Sequence, residues 1–193
     1  KRLMVFGDWE HYYVTMNPRY QADIARALGK FVERNLVYKG KKPVHWCIHC
    51  RTALAEAEVE YEDHSSPSIY VEFPLASSSA ADLAARAPSL KGRDVSVLIW
   101  TTTPWTIPSN LAIAFHPEYD YGAYDVDGRA IIVAEQLAES VSKIVGRPFG
   151  VPIARLKGAE LEGINFRHPL YERDSVGVLG EYVTLDAGTG AVH

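Results

Sequence analysis

Cysteine is scarce in this chain: Cys47 and Cys50 are its only two. A four-cysteine metal site built from two knuckles is therefore excluded within it. No apolar run approaches the ~20 residues of a membrane-spanning helix, which argues against a membrane partner. The opening stretch, Lys-Arg-Leu-Met-Val-Phe-Gly-Asp, lacks the apolar core and cleavage site of a secretory signal, so the chain reads as cytoplasmic. It also lacks an initiator Met, which suggests a fragment. No repeat at a fixed period is present. What remains is ordinary globular material, 47% hydrophobic and 23% charged over 193 residues. That is enough for one domain, or one and part of another.

The net charge of −4 hides an asymmetry. Residues 1–51 hold ten Lys/Arg against four Asp/Glu, and residues 52–193 hold ten against twenty. A basic first quarter can face phosphates, whereas an acidic remainder is a poor general nucleic-acid binder. Contact with RNA is expected to be local, through a strand end.

Asn17-Pro18 reads as an N-cap followed by proline at the first helical position, and Ile24, Leu28, Phe31 and Val32 share one face of a helix to about Arg34. Strands are predicted at 58–62 and 69–73, plausibly adjacent, then at 94–100 and 111–115. Residues 76–87, rich in Ser and Ala, read as a surface insertion with a short helix at most. Asp127-Gly128 between two alternating runs predicts a hairpin of 119–126 with 129–134. A helix from Leu137 to Val145 should end at Gly146, with further strands near 151–156, 176–179 and 182–185.

Two stretches carry candidate chemistry. Residues 100–110, Trp-Thr-Thr-Thr-Pro-Trp-Thr-Ile-Pro-Ser-Asn, join two predicted strands. Pro104 and Pro108 remove two backbone donors and favour extended geometry before them, so a stiff, hydroxyl-lined connection with no helix is expected. Trp100 and Trp105 supply walls. The second stretch, Thr184-Leu-Asp-Ala-Gly-Thr-Gly-Ala-Val-His193, contains a Gly-x-Gly turn but no lysine or following helix of a phosphate loop. On chemistry alone it is a tight turn between strands.

Cys47-x-x-Cys50 has three readings: a zinc half-site, a redox pair, or two free thiols. The redox version needs a strand running directly into a helix, for which 52–57 is available. His45 and His49 are nearby, but His49 sits inside the knuckle, poorly placed to share its ion.

The threonine string resembles the motif in the editing domain of isoleucyl-tRNA synthetases, where valyl and leucyl relatives typically have Arg-Pro after the threonines. Thr103-Pro104-Trp105-Thr106 stands here instead. The resemblance implies an α/β chain in three parts: the end of a catalytic nucleotide-binding half (1–42), a Cys-x-x-Cys knuckle linker (43–57), and a mainly antiparallel, barrel-like editing domain with peripheral helices (58–193). It implies catalytic roles for Thr101, Thr102, Thr103 and His193, the histidine sizing the amino-acid side chain. Trp100, Asn110, Gly188, Thr189 and Gly190 would bind substrate. It implies a zinc half-site at Cys47 and Cys50, completed from a second knuckle elsewhere. ATP and Mg would serve the parent ligase, not this segment. The partners implied are the 3′ end of a misacylated tRNA(Ile) and the remainder of a monomeric synthetase.

The family's ammonium-binding aspartate, its His-x-Gly-His box and its Lys-Met-Ser-Lys-Ser loop are not in this sequence. The fragment alone is therefore expected to be weak or inactive. An isoleucine pocket rejects valine by only ~1–3 kcal/mol, a limit for which the isoleucyl enzyme is itself the standing example, so a second hydrolytic site is needed. Two rivals are a zinc-ribbon RNA-binding module and a free-standing threonine-dependent hydrolase.

Overall fold

A computed structural model describes residues 2, 4 and 6–193. The chain divides into two compact units, 1–63 and 64–193.

In the first unit α1 spans Pro18–Glu33, with the Asn17 side chain accepting from the Arg19 amide at 2.9 Å and Pro18 at the first position. Its end is marked by Asn35 in the left-handed region (φ 56°). Ile24, Leu28, Phe31 and Val32 are all more than half exposed within this unit. Two short strands, β1 (Trp46–Cys47) and β2 (Thr52–Ala53), pair antiparallel around the cysteines. Residues 52–57 therefore supply a strand and not the helix a redox motif needs, and only a single 3-10 turn follows at Glu56–Glu58. The predicted strand at 58–62 is absent, since 59–68 carries no regular structure. Among the described residues it pairs with no strand, so its alternation has no ladder to join.

The second unit holds two open, mixed sheets. In chain order its elements are β3 (Ile69–Pro74), α2 (Ala80–Arg86), β4 (Val95–Thr101), β5 (Ala112–Phe115), β6 (Asp120–Val126), β7 (Arg129–Ala134), α3 (Ala138–Val145), β8 (Ala154–Lys157), β9 (Asn165–Arg167), β10 (Asp174–Leu179) and β11 (Ala191–Val192). One sheet runs β3-β4-β7-β6-β8 and the other β11-β5-β10-β9. Most pairs are antiparallel, but β4–β7 and β5–β10 are parallel. No closed barrel forms among the described residues, which corrects the barrel-like expectation.

Local signals account for several elements. Asp127 (φ 53°) and Gly128 (φ 84°) form the β6–β7 turn, as a two-residue hairpin requires. Gly146 (φ 67°) ends α3, and the Arg147 amide reaches back to the Ser142 carbonyl at 3.2 Å. The core runs through Phe73, Ile99, Ile113, Phe115, Ile132 and Phe166, all fully buried.

Two further expectations need correction. Residues 76–87 carry the short helix expected and are largely exposed, but they are anchored and not merely a surface insertion: Leu83 is 1% exposed, Ala76 and Ala87 are buried, and Ser79 Oγ accepts from the Asn165 amide at 2.9 Å. Leu83 is the one buried residue of α2 and joins it to the core. Residues 182–185 form no strand; Tyr182 is exposed and Val183 buried on a turn. Among the described residues no helix is long and apolar enough to cross a membrane.

Candidate functional site

β4 is buried on both faces and ends at Thr101, where the chain leaves the five-stranded sheet for β5 of the other. The connection is not fully extended: Pro104–Ser109 forms a 3-10 helix, correcting the expectation of no helix. Pro104 fits because its missing N–H falls at the first helical position. The geometry packs three hydroxyls into a chain. Thr101 Oγ1 lies 3.2 Å from Thr103 Oγ1 and accepts from the Thr103 amide at 3.0 Å. Thr103 Oγ1 lies 3.4 Å from Thr106 Oγ1, which donates to the Thr103 carbonyl at 2.6 Å. Thr101 is buried and Thr102 half-buried, whereas Thr103 and Thr106 are exposed. Ser66 Oγ donates to the Thr102 carbonyl at 3.2 Å.

The facing wall is 184–193. Gly188 (φ 81°) and Gly190 (φ 76°) both adopt backbone that other residues rarely reach. A Cβ on Gly188 would come within 3.1 Å of the Trp100 ring, so the wall packs directly on the residue before the threonines. A Cβ on Gly190 would sit 2.4 Å from Ala134 Cβ at the end of β7. The Ala134 amide donates to the Thr189 carbonyl at 2.9 Å. Tyr121 Oη donates to the Gly190 carbonyl at 2.6 Å and accepts from the His116 amide at 3.0 Å. Burial pushes that phenol up to about 12, so it stays a proton donor at neutral pH. Gly190→Ala should cost about 1–3 kcal/mol through backbone strain and the Ala134 clash, read as a lowered denaturation midpoint.

Between the walls lies a cavity of about 510 Å3, lined by Trp100, the three threonines, Thr106, Tyr182 and residues 184–193 except Leu185. A second compartment of about 390 Å3 includes Asn110 and Leu111, and it shares Thr106, Tyr182, Val192 and His193 with the first. Thus Trp100, Thr101, Thr102, Thr103, Gly188, Thr189, Gly190 and His193 meet at one place, with Asn110 in the adjoining compartment. Two of these serve the wall itself. Thr189 is 1% exposed, its hydroxyl within 3.5 Å of the Ala191 backbone. Asn110 is 6% exposed, accepting from Ser175 Oγ at 2.5 Å and donating to the Ala112 carbonyl at 2.7 Å.

His193, half-buried where the compartments meet, has its pKa lowered by burial from the usual 6.5. The folded state thus favours neutral imidazole. That contribution is intact above about pH 6.5 and is lost as pH falls through the lowered folded value. Sequence reasoning did not single out Thr106, Tyr182 or Asp186 as site residues. Thr106 lies within 100–110 and Asp186 within 184–193, and only the folded hydroxyl chain and the turned wall bring them to the site.

The model for the tRNA synthetases class I (I, L, M and V) matches residues 1–171. The chain belongs to this family. It is 52% identical over 193 residues to the isoleucine–tRNA ligase of Geobacter sulfurreducens and 50% identical over 193 residues to that of Geobacillus kaustophilus. Each match covers 100% of this chain and 20% of the relative, so the chain spans about a fifth of the length of these curated class I synthetases. Two solved structures share the fold. The crystal structure of GlLeuRS-CP1 aligns with TM-score 0.52 at 23% identity, covering 64% of this chain and 54% of that one. The P. knowlesi cytosolic leucyl-tRNA synthetase editing domain aligns with TM-score 0.55 at 12% identity, covering 69% and 60%.

In this class I synthetase chain Cys47 and Cys50 lie together on the β1–β2 hairpin. The Cys50 amide donates to Cys47 Sγ at 3.3 Å, and Arg51 turns the hairpin at φ 55°. Backbone donation from Cys50 and His49 lowers the Cys47 pKa, while hydrogen bonding with Cys47 raises that of Cys50. Among the described residues no group of three or more His, Cys, Asp and Glu could hold a metal. Two thiolates would occupy only half of a tetrahedral set. Metal analysis after dialysis should therefore find well under one zinc per chain. One tightly held zinc would show that His45 or His49 completes the site.

Proposed function

We propose that this chain carries the editing site of an isoleucine–tRNA ligase and that the cavity hydrolyses valine esterified to tRNA(Ile). The observation that supports this most is the meeting of the threonine hydroxyl chain and His193 across one cavity. An aminoacyl ester is already activated, so hydrolysis needs a positioned water and donors for the developing oxyanion, not a strong nucleophile. The exposed Thr103 and Thr106 hydroxyls and the nearby amides are suited to that work. Among the described residues no His, Asp or Glu side chain hydrogen-bonds a threonine of this hydroxyl chain, which disfavours a threonine nucleophile.

Thr101 and Thr102 line the same wall, and Trp100 packs it against Gly188. The neutral, half-buried imidazole of His193 occupies space without adding a charge, as a size gate for an apolar side chain should. Asp186 is the only carboxylate side chain lining the cavity among the described residues. The substrate is the 3′ end of misacylated tRNA(Ile), delivered within a monomeric, cytoplasmic synthetase. ATP and Mg act in its charging domain, and residues 1–42 and 43–57 form the end of that domain and the knuckle linker. Cys47 and Cys50 would hold a structural zinc together with a second knuckle.

Deacylation of Val-tRNA(Ile) and Ile-tRNA(Ile) by a synthetase carrying this segment tests the reading. Hydrolysis of the valyl ester, with the isoleucyl ester spared, is expected. Equal inertness toward both, with zinc bound and RNA retained, would favour the RNA-binding module instead.

A further inference from the structure

The threonine loop must hold its hydroxyls still, yet most of it belongs to no sheet. A short 3-10 turn also has weak internal hydrogen bonding. Its rigidity has to come from outside. The second half of the loop runs alongside the segment that leads into β10, in the same direction as the parallel β5–β10 pairing. Side chains extend that pairing backwards. Ser175 Oγ bonds Asn110 Oδ1 at 2.5 Å, Arg173 Nη2 donates to the Pro108 carbonyl, and His168 Nε2 lies 2.8 Å from the Ile107 carbonyl.

His168 is 5% exposed and fully committed. Its Nδ1 accepts from the Leu170 amide at 3.0 Å and the Tyr171 amide at 3.2 Å. The proton therefore sits on Nε2, which donates to Ile107. The ring packs edge-on to Phe73, with centroids 6.0 Å apart, which ties it to β3 in the other sheet. Arg173 lies with its guanidinium carbon 5.3 Å from the Tyr171 ring centre, and its buried Nε has no partner. A guanidinium held with one donor unsatisfied is costly, and here it is spent on a loop carbonyl.

We propose that His168 and Arg173 are positioning residues that clamp the 3-10 turn of the threonine loop, and so hold Thr103 and Thr106 in the arrangement ester hydrolysis needs. Neither residue lines the cavity between the walls; each acts through the Ile107 and Pro108 carbonyls. The catalytic half of this proposal rests on the editing reading, whereas the clamp itself does not.

Three variants separate its parts. His168→Asn keeps an acceptor near Nδ1 for the Leu170 and Tyr171 amides but is too short to reach Ile107. His168→Gln restores a donor near Nε2, and Arg173→Met removes the guanidinium while keeping apolar bulk. Hydrogen exchange is read at the Thr106 and Asn110 amides, which bond inside the turn, against Ile132 and Val133 in β7. In His168→Asn and Arg173→Met, protection should fall roughly tenfold at the turn and stay unchanged in β7. His168→Gln should keep most of it.

In a synthetase carrying the segment, kcat for Val-tRNA(Ile) hydrolysis should fall roughly tenfold in the first two variants, with KM within about twofold. Unchanged protection at Thr106 and Asn110 in both variants overturns the clamp. So does an equal loss across β7, which would make His168 merely structural. An unaltered protein that leaves Val-tRNA(Ile) intact would refute the editing reading instead, with the exchange result still standing.

Discussion

Replacing Thr103 by Ala is expected to slow valine ester hydrolysis by about 10²–10³-fold, the usual cost of losing one donor from an oxyanion site. The size follows from where Thr103 stands. Its hydroxyl is the middle member of the Thr101–Thr103–Thr106 chain, at 3.2 and 3.4 Å from its neighbours, and it lines the cavity. Removing it breaks the chain and leaves Thr106 bonded only to the Thr103 carbonyl. The backbone should survive, because the Thr103 carbonyl still accepts from the Thr106 amide and hydroxyl and Ala has no φ/ψ restriction that Thr lacks. Single-turnover deacylation of Val-tRNA(Ile) measures the loss, and charging with isoleucine should be unaffected. A variant that hydrolyses at the unaltered rate would remove Thr103 from the chemistry.

His193→Ala should change selectivity and leave chemistry in place. One methylene is discriminated by roughly 10–200-fold in a fitted pocket, so opening the gate should raise Ile-tRNA(Ile) hydrolysis by up to that factor. The imidazole lines both compartments, of about 510 and 390 Å3, so truncating it enlarges the space at their shared wall. The threonine wall is untouched, so valyl hydrolysis should survive at least in part. In the complete reaction the variant should consume ATP without accumulating Ile-tRNA(Ile). Loss of all valyl hydrolysis with the isoleucyl ester still spared would make His193 catalytic and not a gate.

Much of this was legible where the signal is local. Asn17 before Pro18, Asp127-Gly128 and Gly146 each encode their own backbone, and the structure places a cap, a hairpin turn and a helix end at them. Long-range pairing was not legible. The parallel β4–β7 and β5–β10 pairs join segments far apart in sequence, and nothing in either strand names its partner. Alternation alone also misled. Residues 58–62 alternate and 182–185 are β-prone, yet neither forms a strand, and a strand without a partner has no ladder.

Composition was only half informative at 76–87, where Ser77, Ser78, Ala80, Ala81 and Ala85 are exposed as they read, while Ala76, Ser79, Leu83 and Ala87 are buried. At the site, the threonines, the glycines and His193 were readable as strings. That they share one cavity, that Asn110 and Thr189 spend their side chains on the wall, and that Asp186 and Tyr182 join it are properties of the turn at 182–190. Two glycines at positive φ shape that turn, and Tyr121 anchors it from the core.

Chemical-shift mapping with a non-hydrolysable mimic, adenosine carrying valine through a 3′-amide, tests most directly whether this cavity takes the ester. Titrated into the isotopically labelled chain, the mimic should move the amides of Thr102, Thr103, Thr106, Gly188, Gly190 and His193, and leave Leu170, Tyr171 and Arg173 in place. Shifts centred on the cavity lined by His168, Tyr171 and Arg173, with the threonine and Gly-x-Gly walls silent, would contradict the assignment.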